Sequence, residues 1–260
     1  MKKKLLILII LLFVIGAFFI NRVKIKNYIF ELNKPDIPIA QEYIENVQNE
    51  PKNEPETAII NQLPSEYNLN VPFTTQAPYV DWNETFKEAC EEASSLMVYY
   101  YYSNKEFTKD IATNEILKMV EWQNNNWQGH FDLTTYQTKE LIEEYFGYEK
   151  VEVITNPSIE DIKLHIIEGR PVIIPVAGRE LHNPNFKQPG PIYHMLVIKG
   201  YTLTHFITND PGTRMGEDYV YTYDVIMNAL HDWNEEDILQ GAKNIIVMYP
   251  AQDEIPFGHP

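Results

Sequence analysis

A chain of 260 residues that is 44% hydrophobic and 13% aromatic carries enough apolar side chains for one sizeable core with appendages, and reads as a globular protein with a tail. Its formal charge of −16 hides an asymmetry, because residues 1–27 hold six of the 21 basic residues and no acidic one, leaving 15 basic against 37 acidic in the remainder. That acidity argues against nucleic acid as a partner and for a domain that stays off anionic membrane surfaces.

The N-terminus has the pattern of a membrane anchor. Lys2, Lys3 and Lys4 precede an apolar run from Leu5 to Ile20, and Arg22, Lys24 and Lys26 follow it. The run is longer than a signal-peptide core and no small-x-small cleavage site follows, so residues 1–27 are expected to form a single transmembrane helix, an uncleaved signal-anchor. A long C-terminal domain crosses the membrane largely regardless of charge. The domain is therefore expected on the extracytoplasmic face of the cell membrane, or secreted if the segment is cleaved.

Residues 28–66 read as a flexible linker, with Pro35, Pro38, Pro51, Pro55 and Pro64 spaced among Glu and Asn. A short helix around Ile39 to Val47 is the one element expected there. Residues 67–252 form the folded domain and 253–260 a C-terminal tail. Within the domain an extended segment, LNVPFTTQAP, leads to turn and cap formers at Asp81, Asn83 and Thr85, and then to a helix from Cys90 to about Tyr102. Ile111, Ile116, Leu117 and Val120 mark a second helix, and Thr134 to Tyr145 a third that Gly147 stops. After Tyr148 the pattern becomes β-rich. VEVIT is a strand, Ser158 caps a helix that Gly169 ends, and strands are expected at 171–177, 194–201, 205–210, 219–223 and 244–249, with a helix from Asp224 to Trp233. Helices first and mainly antiparallel strands afterwards define an α+β protein, its N-terminal helical half packed on an antiparallel sheet.

Cys90 is the only cysteine, so it is either a small buried hydrophobe or a nucleophile. In the first turn of a helix, unpaired N–H groups and the helix dipole favour its thiolate, and its pKa is expected below that of a free thiol. A thiol nucleophile needs a base, and the base needs an orienting partner. His194 opens the apolar strand MLVIKGY and is the candidate base. Asp210 ends the next strand across a tight turn, and similar distances from that turn are expected to set residues 194 and 210 opposite one another. Alone, each is more simply a strand-end histidine and a turn former. Gln76, at the end of the strand leading towards Cys90, is the candidate second donor to an oxyanion, beside the Cys90 N–H. His182 lies in the long loop RELHNPNFKQPGPI, a candidate specificity element, while His130, His165, His205 and His231 lack a partner pattern. No cofactor is expected and no metal, since neither an H-E-x-x-H helix nor a second cysteine is present.

The order VPFTTQAP, EACEEASSLM, GRPVIIPV, YHMLVIKGY and FITNDPGT resembles the papain-like cysteine peptidases, specifically the bacteriocin-processing, double-glycine-leader peptidase type, over about residues 69–250. The resemblance implies a papain-like fold with Cys90 as nucleophile, His194 as base, Asp210 as orienter and Gln76 in the oxyanion hole. Glu91 and Glu92 depart from the family, which often has glycine and proline after the cysteine. Two carboxylates there oppose a thiolate unless they face solvent or a substrate amine. The expected function is a membrane-anchored thiol protease acting on a peptide or protein substrate, cell-wall peptides included. The alternative is a catalytically inactive papain-like module that binds peptides at the membrane.

Overall fold

One helix sits at the centre of the fold because its sequence leaves it almost no solvent face. The computed structural model describes residues 34–43 and 63–250, so the expected anchor at 1–27, most of the expected linker and the tail lie outside the described residues. The chain divides into two units, 1–36 and 37–260, and the architecture is that of the second. Helix α1, Glu84–Lys87, is a single turn capped by Asn83, whose side chain accepts from the Phe86 N–H. Helix α2, Cys90–Ser103, follows at once and is buried at every residue except Tyr100 and Ser103. Such all-round burial fits its apolar and small residues, and Asn104 in the left-handed conformation ends it.

Two more helices cover α2. Helix α3 spans Lys109–Asn126 behind a Thr108 cap, and α4 spans Thr135–Phe146 behind a Thr134–Gln137 capping box, with Gly147 at φ 65° closing it. A second capping box, Ser158 with Asp161, starts α5 at Ile159–Ile167, and Thr222 caps α6 at Tyr223–Ala229. The cap read from sequence at Ser158 and the stop at Gly147 are therefore in place, while Thr134, read as the first helical residue, is the cap of α4. The cap formers near Asp81 serve the separate turn α1 instead, and α2 starts at Ala89 with no side-chain cap.

The strands are β1 (Tyr67–Asn68), β2 (Val151–Thr155), β3 (Val172–Ala177), β4 (Tyr193–Tyr201), β5 (His205–Asn209), β6 (Tyr219–Thr222) and β7 (Asn244–Met248). They form one antiparallel sheet in the order β2-β7-β3-β4-β5-β6, with β1 pairing the end of β4. Strand β4 is buried throughout, as a strand with neighbours on both edges and α2 against it must be. The result is the expected α+β architecture.

Three expectations change. Residues 39–43 are not helical: Gln41 makes a parallel bridge to Leu69, while Asn68 Nδ2 donates to the Pro38 carbonyl at 3.0 Å and Asn70 Nδ2 to Glu42 at 2.7 Å. Asparagine side chains thus hold this stretch extended against the domain, and Tyr43 packs edge-on to Tyr101 and Tyr102. Helix α6 stops at Ala229, short of Trp233, because Leu230 turns extended to bridge Val176. Residues 194 and 210 are not directly opposite either. The register runs Val197 to Asn209 and Ile198 to Thr208, and a bulge at Lys199 shifts it, so continuing it sets Asp210 beside Leu196.

Beyond α6, Asp232 faces inward and is buried. Its carboxylate accepts from the Thr135 N–H (2.9 Å) and hydroxyl (2.5 Å), from Asn244 Nδ2 (3.0 Å) and from the Trp233 N–H (2.9 Å), joining the starts of α4 and β7. Replacing it by alanine strands four donors, and Asp232→Ala should lose about 3–5 kcal/mol of stability, read by chemical denaturation.

Candidate active site

His194 stands at the second residue of β4 and Asp210 at the first residue beyond β5, so two strand ends deliver them to one place. His194 Nε2 lies 2.8 Å from Asp210 Oδ1, and both side chains are sealed, 2% and 0% exposed. The contact is diagonal across the strand pair, since His194 and Leu196 share a face. The Gly212 N–H also donates to Oδ1 (3.0 Å), while the Tyr221 hydroxyl (2.7 Å) and Asn183 Nδ2 (3.2 Å) donate to Oδ2. Burial alone would raise the Asp210 pKa, but the His194 ring, Tyr221 and Gly212 outweigh it and hold the carboxyl below its usual range. A buried anion with four donors is a rigid acceptor, and it holds the imidazole by Nε2. His194 Nδ1 carries no hydrogen bond among the described residues.

The loop from Gly178 to Pro191 is built into this support. Asn183 bonds both Asp210 and Tyr221, at 2.7 Å to the tyrosine hydroxyl, and Phe186 packs edge-on to His194 with centroids 5.5 Å apart. A methyl group on Gly212 would stand 2.9 Å from His194 Cε1 and from Phe186 Cε1, so only glycine lets this turn close over the ring. His182 is exposed at the outer side of the loop.

Cys90 is the first residue of α2 and is 3% exposed. Its thiol donates to Glu91 Oε2 at 3.0 Å, and no hydrogen bond joins it to His194 among the described residues. Burial first, and then Glu91, push the thiol well above its ordinary pKa. This corrects the expectation of a depressed value from helix position alone: the dipole of one uncapped helix end is worth about 0.3–1 kcal/mol. Two negative charges 3.0 Å apart at an effective dielectric of about 20 would repel by roughly 5 kcal/mol. Glu91 and Glu92 do not face solvent. Both are buried: Glu91 Oε1 accepts the Leu133 N–H at 2.8 Å, and Glu92 Oε1 takes Gln123 Nε2 at 2.5 Å and lies 3.2 Å from His130 Nε2.

The segment from His130 to Leu133 carries the residues that sequence reasoning missed. Leu133 links the two halves of the site, because its N–H donates to Glu91 while its carbonyl accepts the Tyr193 hydroxyl at 2.7 Å, beside His194. Asp132 feels the charges of Glu88, His130, His194 and Glu92, and burial with Glu88 raises its pKa to about 6. Burial disfavours the His130 cation, but Glu92 more than compensates and raises its pKa. No spacing rule signals these residues; only the acidic first turn of α2, which needs donors, hints at them.

Gln76 is buried on the approach to α2. Its N–H donates to the Pro211 carbonyl at 3.0 Å, and Nε2 donates to the Phe86 (3.0 Å) and Lys87 (2.7 Å) carbonyls. Both amide hydrogens are thus engaged. Gln76 ties the turn ahead of Cys90 to the turn after Asp210, and in this state offers no free donor to an oxyanion. Among the described residues no cluster of His, Cys, Asp and Glu could hold a metal ion, and no helix is long and apolar enough to cross a membrane.

Residues 68–237 match the Peptidase_C39 like family, and the chain belongs to that family. Its fold is accordingly that of a cysteine peptidase, as the motif order implied. A crystal structure described as a C39-like peptidase from Bacillus anthracis is similar over 69% of this chain and 94% of its own, at 18% identity and a TM-score of 0.46. Xylellain, a cysteine protease from Xylella fastidiosa, is similar over 84% and 95%, at 17% identity and a TM-score of 0.35. No curated protein matches the chain significantly.

Tyr221→Phe removes one donor from buried Asp210 and leaves the packing intact. It should lower peptide hydrolysis by about tenfold, for a loss of roughly 1.5 kcal/mol from a bond to a charged group, with a similar loss of stability. Kinetics and thermal melts of the variant check both.

Proposed function

We propose that the chain is a membrane-anchored cysteine peptidase that hydrolyses peptide bonds through Cys90, His194 and Asp210. The observation that carries this reading is the sealed His194–Asp210 pair, whose acid accepts four hydrogen bonds. With Nε2 committed to Asp210, His194 takes the Cys90 proton at Nδ1, giving a thiolate and an imidazolium. The thiolate attacks the substrate carbonyl carbon, and the oxyanion is held by the Cys90 N–H at the uncapped helix start. Gln76 joins as second donor by releasing the Lys87 carbonyl as the substrate enters. His194 then protonates the leaving amine, and water hydrolyses the thioester. Substrates are extracytoplasmic peptides or proteins, cell-wall peptides among them, reached from the membrane through residues 1–27.

The competing reading, a peptide-binding module that no longer turns over, rests on the buried thiol engaged by Glu91. Hydrolysis of a peptide library by the full chain separates the two. Cys90→Ala should reduce cleavage to background, and Asp210→Asn should lower it by about 10³–10⁴-fold. Unchanged cleavage in Cys90→Ala sinks the peptidase reading, and peptide binding by a wild type that never cleaves selects the module. The anchor is checked separately: deleting residues 1–27 should move the protein from the membrane fraction to the soluble one, and an unchanged distribution would overturn the anchoring.

A further inference from the structure

Glu91 touches the sulfur itself, and its surroundings specify which of its oxygens can carry a proton. We propose that Glu91 is a catalytic residue that works as a neutral acid, keeping a proton on Oε2 and donating it as a hydrogen bond to the Cys90 thiolate. The proposal rests on the reading of Cys90 as nucleophile. Glu91 Oε1 accepts the Leu133 N–H at 2.8 Å, which suits a carbonyl oxygen, and Oε2 is left facing Sγ at 3.0 Å. The side chain is 0% exposed, so water does not solvate a charge there.

The groups that face it supply no cation. Cys90 and Glu92 lie beside it on α2, Asp132 approaches from the loop and Tyr193 from β4. Among the described residues no lysine, arginine or histidine lies within ion-pair distance of Glu91, and the histidine in reach of its neighbour, His130, sits on Glu92. A buried carboxyl without a cation stays protonated. Burial, followed by Glu92 and Asp132, accordingly raises its pKa well above the carboxylate range.

The charges balance along the first step. Before it, Cys90 holds its S–H, Glu91 its O–H and His194 is neutral. The thiol proton moves to His194 Nδ1, and the electron pair stays on sulfur. Glu91 keeps its own proton and turns it towards the new anion, so the Cys90–Glu91 pair carries one negative charge, stabilised by the acid and by the uncapped N–H groups. If Glu91 is ionised, its carboxylate instead accepts the S–H and sets a second negative charge against the thiolate. One titration therefore switches Cys90 between a nucleophile and an inert thiol. The two carboxylates that depart from the family pattern then have different work, Glu91 on the sulfur and Glu92 on His130 and Gln123.

The test is the rate of Cys90 alkylation by iodoacetamide against pH in the full chain, with peptide hydrolysis measured alongside. In the wild type the rate should be substantial at neutral pH and fall as pH rises, opposite to an ordinary thiol, whose rate climbs as it ionises. Glu91→Gln keeps an acceptor for Leu133 and a donor for sulfur but cannot ionise. It should lose the alkaline fall, a change in profile that a merely structural role for Glu91 would not produce. Glu91→Met removes the donor at similar size and should slow alkylation at neutral pH by about tenfold, the worth of one charge-assisted hydrogen bond. Superimposable profiles for wild type and Glu91→Gln, or no alkylation below the pH at which an ordinary thiol ionises, overturn the proposal. Glu91→Gln decides the matter even if Glu91→Met does not fold. Hydrolysis that survives Cys90→Ala marks failure of the peptidase reading instead, whatever the alkylation profiles show.

Discussion

The structure depends on how the first turn of α2 is buried. Cys90, Glu91 and Glu92 bring a thiol and two carboxyls into one helical turn with almost no access to water. An uncapped helix start favours negative charge, yet it cannot neutralise three acidic groups. The segment from His130 to Leu133 therefore closes over the turn. It gives Glu91 a backbone donor and Glu92 an imidazole, while Gln123 of α3 adds an amide. The loop and α3 are held in place by the same few hydrogen bonds that satisfy these acids, and the Leu133 carbonyl ties the loop to the Tyr193 end of β4. Electrostatic need and tertiary assembly are here one requirement.

The other half of the site follows a different logic. His194 and Asp210 are carried by two buried, adjacent strands, and the bulge at Lys199 shifts the register by one residue, setting Asp210 beside Leu196 on the face of β4 that carries His194. Asn183 of the loop and Tyr221 of β6 complete the support on the far oxygen of Asp210, and the loop residues Phe186 and Gly212 stand around the imidazole. The long loop before β4, which looks like a specificity element, spends its inner side chains on fixing the histidine and its acid. Strands supply position and loops supply the last hydrogen bonds, the usual division for a site that has to be both rigid and reachable.

Much of this was legible in the residues. Helix caps at Thr134 and Ser158, the stop at Gly147 and the strand boundaries follow from local chemistry, which acts over three or four residues and so is written in the chain. The pairing of His194 with Asp210 was legible for a related reason, since both lie a few residues from one tight turn. The helix expected around Ile39 to Val47 fails over residues 39–43, the part within the described residues, because the side chains of Asn68 and Asn70, some thirty positions away, bind that stretch as extended chain. No local pattern carries that information.

By itself, then, the sequence determined the α+β order of elements, a resemblance to the family through the order of its Gln, Cys, His and Asp motifs, and the identity of a lone cysteine at a helix start. Only the tertiary structure decided the state of that cysteine. A helix dipole promises a low thiol pKa, but the enclosure of Cys90 raises it, because desolvation outweighs a single helix end, and the Glu91 carboxyl at 3.0 Å raises it further only when ionised. Likewise Gln76 reads as a free donor until Phe86 and Lys87 are seen to occupy both of its hydrogens. Residue types and spacing specify which groups can meet; burial and the direction of each hydrogen bond, which depend on the whole packed chain, specify what charge they carry when they do.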